Sequence, residues 1–201
     1  PDLRNPIEIY DVTEIINKED VKLDIFKKLI TKGAVVRAIP APNTSSKPRR
    51  FFDELNNWAK EEGGKGLGYI VIKKDRGKLT GNGPIAKFFS DTAINELVTK
   101  CKLKENDSIF FSCDTKANVE KITCLARQKL GKELNIINNN KFEFCWIVDF
   151  PMYHYDKEQN KIDFSHNPFS MPQINPEDFE KSDPLSVLAY QYDLVCNGFE
   201  I

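Results

Sequence analysis

The sequence predicts an α+β chain, and two contrasting textures carry that prediction. Up to about residue 143, strand-like and helix-like patterns alternate, which describes a compact unit of helices packed on a sheet. From residue 144 onward the chain is aromatic and β-branched with almost no helical periodicity. It reads as several strands of a sheet whose partner strands lie elsewhere. A length of 201 residues allows one large domain or two small ones and can bury a real core.

Residues 2–16, DLRNPIEIYDVTEII, read as a short extended segment followed by a helical turn. AVVRAIPAP (34–42) is strand-like and stops at prolines, and NTSSKPRR (43–50) is a polar connector. RFFDELNNWAKEEG (50–63) sets Phe51, Leu55, Trp58 and Ala59 at helical spacing and ends at paired glycines. GLGYIVIKK (66–74) is a β-branched run. SDTAINELVTKCKL (90–103) opens with Ser90 as N-cap and gathers Ala93, Leu97 and Val98 on one face. DSIFFSCD (107–114) has the pattern of a buried strand, and TKANVEKITCLARQKLGKEL (115–134) is the longest helix. In the tail, FEFCWIVDFPMYHYD (142–156) reads as one long strand and KEQNKIDF (157–164) as its hairpin return. NPED (175–178) offers Asn175 as N-cap with Pro176 at the first helical position, and VLAYQYDLVCNGFEI (187–201) closes the chain as strand.

Composition excludes several classes. The chain is 40% hydrophobic and 29% charged with a formal net charge of -1, which does not favour bulk nucleic-acid binding but allows a local patch. No apolar run approaches the roughly 20 residues that cross a bilayer, and PDLRNPIEIY has no signal-peptide pattern. The first residue is Pro rather than Met, so a piece of something longer is expected. The five cysteines (101, 113, 124, 145 and 196) are odd in number, widely spaced and free of a CxxC. They read as small apolar side chains in a reducing cytoplasm.

Two places invite chemistry. Asn197-Gly198 between apolar runs predicts a two-residue type I′ hairpin, facing Val195 with Glu200, Cys196 with Phe199 and Leu194 with Ile201. Glu200 then shares a face with Asp193, and diagonal neighbours of this kind lie about 7 Å apart or less. Spacing alone leaves two readings: a Mg²⁺ site carrying a nucleotide phosphate, or a solvated polar face. The second place is DFSHNPFSMP (163–172), where His166 sits in a proline-bounded loop that either turns the chain or holds an imidazole for a ligand. His154 reads as surface, and Asp149 and Asp163 are isolated. Lys73, Lys74, Arg76 and Lys78 form a basic run that either meets RNA phosphate or is a solvated loop. KGLGYI carries no phosphate-loop pattern.

Taken in order, DLRNPIE, KGLGYIVI, GPIAKF, WIVDFPM, HNPFSMP and YDLVCNGFE resemble the bacterial-type aspartyl-tRNA synthetases, and the resemblance covers essentially the whole chain. It implies a class II catalytic domain interrupted by an inserted α/β unit, the GAD domain. Residues 22–143 are then the insertion, and 1–21 and 144–201 are catalytic-domain segments before and after it, the latter contributing antiparallel strands of the catalytic sheet. Residue by residue, the resemblance makes His166 a contact of L-aspartate. It makes Glu200 a ligand of ATP, directly and through Mg²⁺, and Asp193 a second acid on the metal side. Where many members carry a second His, this chain has Asn167, whose amide can hydrogen-bond a carboxylate but cannot carry charge. The family's motif-2 and motif-3 arginines, the arginine expected soon after NGFE and the anticodon-binding barrel are not found. The resemblance therefore implies part of an aspartate–tRNA ligase that is inactive by itself and supplies no catalytic base. The whole enzyme is expected to use ATP, Mg²⁺, L-aspartate and tRNA, as a cytoplasmic homodimer without a membrane segment. The rival reading is a non-catalytic GAD-type module that binds tRNA or an amidotransferase.

Overall fold

The computed structural model describes residues 1–201 and divides them into two compact units, Pro6–Ile137 and Pro1–Asn5 with Asn138–Ile201. The larger unit runs β1 (Tyr10–Asp11), α1 (Thr13–Asn17), α2 (Asp24–Ile30), β2 (Val35–Ala41), α3 (Arg49–Glu61), β3 (Gly68–Asp75), β4 (Lys78–Asn82), α4 (Asp91–Lys100), β5 (Ser108–Asp114) and α5 (Lys116–Glu133). Its five strands form one sheet in the order β1-β2-β5-β3-β4, antiparallel at every pairing. Strand and helix alternate in sequence, yet no neighbouring pair is parallel.

The central strand β5 explains the layering. All seven of its residues are buried, and they alternate between two cores. Ile109, Phe111 and Cys113 join Val36, Ala38, Ile70 and Ile72 under α1 and α4, whereas Phe110 joins Ile39, Val71 and Ala41 under α3 and α5. The period-2 pattern of a doubly covered strand is apolar on both faces, so β5 reads as a near-continuous hydrophobic run. The predicted Ser90 cap is present, its hydroxyl accepting from Ala93 N–H at 3.0 Å at the start of α4. As packed, the larger unit runs from Pro6 to Ile137 and so takes in β1 and α1. The reason is physical: β1 pairs with β2, and Val12, Ile15 and Ile16 are at most 5% exposed in the core.

The smaller unit contains β6 (Phe144–Ile147), β7 (Phe150–Pro151), β8 (Tyr153–Asp156), β9 (Lys161–Phe164), α6 (Pro176–Phe179), β10 (Leu188–Ala189), β11 (Asp193–Cys196) and β12 (Phe199–Glu200). They make three small antiparallel sheets, β12-β11-β6, β10-β7 and β8-β9. The single long strand expected over 142–156 is three strands in three sheets. Asp149 adopts a left-handed φ of 59°, and Pro151 lacks the N–H a ladder needs, so one continuous strand is broken there. Its core is small: Met152, Val187 and Ala189, with Tyr153, Ile174 and Phe179 packed on it. Phe144, Trp146, Tyr192 and Phe199 remain more than half exposed.

The cysteines separate. Cys101 and Cys113 are buried apolar side chains as expected, but Cys124 is exposed on α5 and corrects that expectation. No disulfide is formed. No helix is long and apolar enough to cross a membrane.

Candidate functional site

The hairpin that carries both predicted acids forms with the expected register, Val195 opposite Glu200 and Cys196 opposite Phe199. Asn197 and Gly198 hold φ of 53° and 92°, the two left-handed positions of a type I′ turn. Asn197 is more than a turn residue. Its N–H donates to the Glu143 carbonyl at 3.0 Å, and its Oδ1 accepts from Glu143 N–H at 3.0 Å. Its Nδ2 donates to the Lys141 carbonyl at 3.2 Å. The turn is thereby tied to the segment just before β6, and β11 then pairs with β6 through Asp193 opposite Ile147.

Strand alternation puts Asp193, Val195 and Glu200 on one face, with Cys145 and Ile147 beside them. Asp193 is half-buried, Glu200 is exposed, and neither is ion-paired to a Lys or Arg. Two carboxylates on one face with no protein cation between them present oxygen donors of the hard type that Mg²⁺ takes, one or two at a time, with phosphate and water completing the shell. They are not a self-sufficient cage: nowhere does a group of three or more His, Cys, Asp or Glu gather to hold a metal ion.

His166 stands on a separate loop. Its ring meets Phe150 of β7 at 4.9 Å between centroids and 80° between planes, and the residue is otherwise exposed. The loop is pinned at both ends. Ser165 N–H donates to Met152 O at 3.0 Å, Tyr190 N–H to Met171 O at 2.7 Å, and Gln173 N–H to Leu188 O at 2.7 Å. Asn167 closes it from within, its Oδ1 accepting from Phe169 N–H at 2.9 Å. No hydrogen bond or ion pair joins His166 to Asp193 or Glu200, which belong to the β12-β11-β6 sheet rather than to β10-β7.

Sequence reasoning missed the anchors of this loop. The Gln173 amide donates to Asp149 Oδ1 at 3.0 Å and to Ala189 O at 2.9 Å, so Gln173 stitches the loop to β10 and to Asp149, which reads as isolated. The available signal was an Asp preceding an aromatic-Pro pair, a residue type that tolerates left-handed backbone. Asp163, also read as isolated, pairs with Lys161 at 2.9 Å, which holds its carboxyl below the usual carboxylate range. A cavity of about 880 Å³ is lined by Met152, Met171, Ile174, Phe179 and Tyr190 and includes none of the three predicted site residues.

Comparison with known proteins places these elements. The GAD domain family matches residues 26–123, from the first turn of α2 to the middle of α5. The matched region lies wholly inside the unit Pro6–Ile137. The similarity to curated proteins is wider than this match. Over all of its 201 residues the chain is 49% identical to the aspartate–tRNA(Asp/Asn) ligases of Beijerinckia indica and of Pelagibacter ubique, covering 34% of each. It is 52% identical over 202 aligned positions to that of a Wolbachia of Brugia malayi, covering 33%. The chain thus spans about a third of the length of the curated relatives it matches.

Proposed function

We propose that this chain is part of an aspartate–tRNA ligase, a class II aminoacyl-tRNA synthetase that joins L-aspartate to tRNA for protein synthesis. The observation that carries this reading is identity of 44–52% running through the whole chain, including residues 138–201 outside the GAD domain. The rival, a GAD-type binding module alone, accounts for 26–123 and leaves that wider identity unexplained. The reaction has two steps. The aspartate carboxylate attacks the α-phosphorus of ATP, giving aspartyl-adenylate and pyrophosphate. A hydroxyl of the terminal adenosine of tRNA then takes the acyl group and AMP leaves.

In this proposal residues 1–21 and 144–201 are catalytic-domain segments flanking the GAD insertion, and β6, β11 and β12 belong to the class II sheet. His166 orients aspartate by donating a hydrogen bond to its carboxylate. Glu200 contacts ATP, and Asp193 with Glu200 would hold Mg²⁺. When bound, Mg²⁺ supplies neutralisation of phosphate charge. These side chains position the reactants and take no proton, so no general base comes from this segment. The whole ligase would act as a cytoplasmic homodimer.

The test is aspartate-dependent ATP–pyrophosphate exchange. The 201-residue chain alone should show none, and the complete ligase should show it. In that ligase Glu200→Gln should lower kcat/KM for ATP by about 100-fold, the loss expected for one charge-stabilising contact, and raise the Mg²⁺ needed for half-maximal rate. A complete protein without aspartate-dependent exchange would overturn the reading.

A further inference from the structure

The β3–β4 hairpin ends in KKDRGK, and the ligase reading assigns it nothing. Lys73, Lys74, Arg76 and Lys78 are all exposed. None of these four makes an ion pair, whereas Lys65 pairs with Asp114 and Lys102 with Glu8; other surface lysines of the unit are also unpaired, and what sets these four apart is that they stand together within six residues. One acid, Asp75, stands among them, directly across from Lys78. The register Lys73 opposite Thr80 and Lys74 opposite Leu79 sends Lys73 and Lys78 to one face and Lys74 to the other, with Arg76 at the tip. The result is a two-stranded finger with cations on both faces and at its end.

The turn carries a second observation. Arg76 and Gly77 take φ of 46° and 85°, so this too is a type I′ turn. The other such turn in the chain uses Asn197 at the corresponding position. An Arg in the left-handed region is disfavoured relative to Asn, which means the tip holds a cation at the expense of local backbone preference. No aromatic or aliphatic anchor lies within 73–78 of the kind a protein–protein contact is built around.

We infer that this finger is a contact for the phosphate backbone of RNA, made by charge without base reading. The inference rests on the ligase reading only for the choice of RNA as the polyanion. Lysine and arginine contacts of this sort add affinity by releasing counterions, so each has a signature in salt dependence.

The experiment titrates the 201-residue chain against a fluorescein-labelled 24-base-pair RNA duplex by anisotropy at several salt concentrations. We expect a Kd of about 10⁻⁶–10⁻⁴ M for the unsubstituted chain. The combined variant Lys73→Ala, Lys74→Ala, Arg76→Asn, Lys78→Ala should bind at least about 10-fold more weakly, and its slope of log K against log salt should fall by about 3 to 4. Arg76→Asn alone should weaken binding about 2- to 3-fold while raising the melting temperature by about 2 °C, a pairing that a purely structural role would not produce. Unchanged affinity and slope in the combined variant would overturn the inference, as would failure of the unsubstituted chain to bind the duplex. Polyglutamate that binds the chain more tightly than the duplex and displaces it would also overturn it, in favour of an acidic protein partner. Because pyrophosphate exchange needs no tRNA, the same substitutions should leave exchange by the complete ligase unchanged. Loss of exchange in the unsubstituted ligase would sink the ligase reading and leave the duplex result standing.

Discussion

His166 rests against Phe150 with no protein group on its ring nitrogens, so the imidazole is held in place without being used up. Pro168 and Pro172 fix φ on the loop that presents it, which reduces the ordering cost when a ligand binds. A hydrogen bond from this ring to a carboxylate is charge-assisted and contributes about 1.5–3 kcal/mol. In the complete ligase His166→Ala should therefore raise the aspartate requirement about 10- to 150-fold with little change for ATP. Asn167→Ala should have the smaller effect on aspartate, because its amide oxygen already accepts from Phe169 N–H. It should show instead as a loss of thermal stability. Exchange kinetics on both variants decide the matter, and an unchanged aspartate requirement in His166→Ala would make the loop structural. The thiols give a second residue-scale expectation. Burial pushes Cys101 up to about 12 and Cys113 up to about 11. At pH 8 about one in a thousand or fewer is thiolate, and both residues are buried. A thiol reagent such as Ellman's should label Cys124 first and reach Cys101 and Cys113 only on unfolding, as followed by mass spectrometry.

At the scale of elements, the legible ones had local chemistry to declare them. Asn197-Gly198 fixed its hairpin register because only a type I′ turn fits two left-handed residues between strands. Ser90 announced α4 by its cap, and SIFFSC announced a buried strand by apolar side chains on both faces. The break inside 142–156 was hidden because apolar and aromatic residues stand on both sides of Asp149, where the backbone takes a left-handed φ. β4 was hidden because KLTGN has too few β-branched side chains to outweigh its Gly and Asn. Strand order was not legible at all, since it depends on pairings between distant residues. Of the site, the shared face of Asp193 and Glu200 followed from strand period, whereas the roles of all three side chains came only through family resemblance. Strand β5 supports a contrasting pair of substitutions. Phe110 is fully buried against Phe52 and Tyr69, so Phe110→Ala should cost about 3–5 kcal/mol. Ser108 is fully buried too, but its hydroxyl has no hydrogen-bond partner, so Ser108→Ala should be neutral or stabilise by up to about 1 kcal/mol. Denaturant unfolding followed by circular dichroism measures both, and a large loss in Ser108→Ala would reveal an unrecognised partner.

Across the whole molecule, burial is unequal. The larger unit has two cores on either side of one sheet, and the smaller has three short sheets around Met152, Val187 and Ala189. Amide hydrogen exchange on the 201-residue chain should accordingly show strong, cooperative protection through 6–137, including β1 and α1, and weaker protection through 138–201. Equal protection in both would count against the division.

The sheet order β1-β2-β5-β3-β4 has a consequence for how the chain is made. Its middle strand is the last to leave the ribosome, because residues 108–114 follow all four of their sheet companions. Until they emerge, β2 and the β3–β4 ribbon each expose the edge that β5 will occupy, and neither apolar layer can close. At about 5–20 residues per second, synthesis from the end of β4 to the end of β5 leaves those edges open for a few seconds. During that interval the nascent chain is open to a stray strand or a chaperone, and a stall at this stretch of the message would lengthen the exposure.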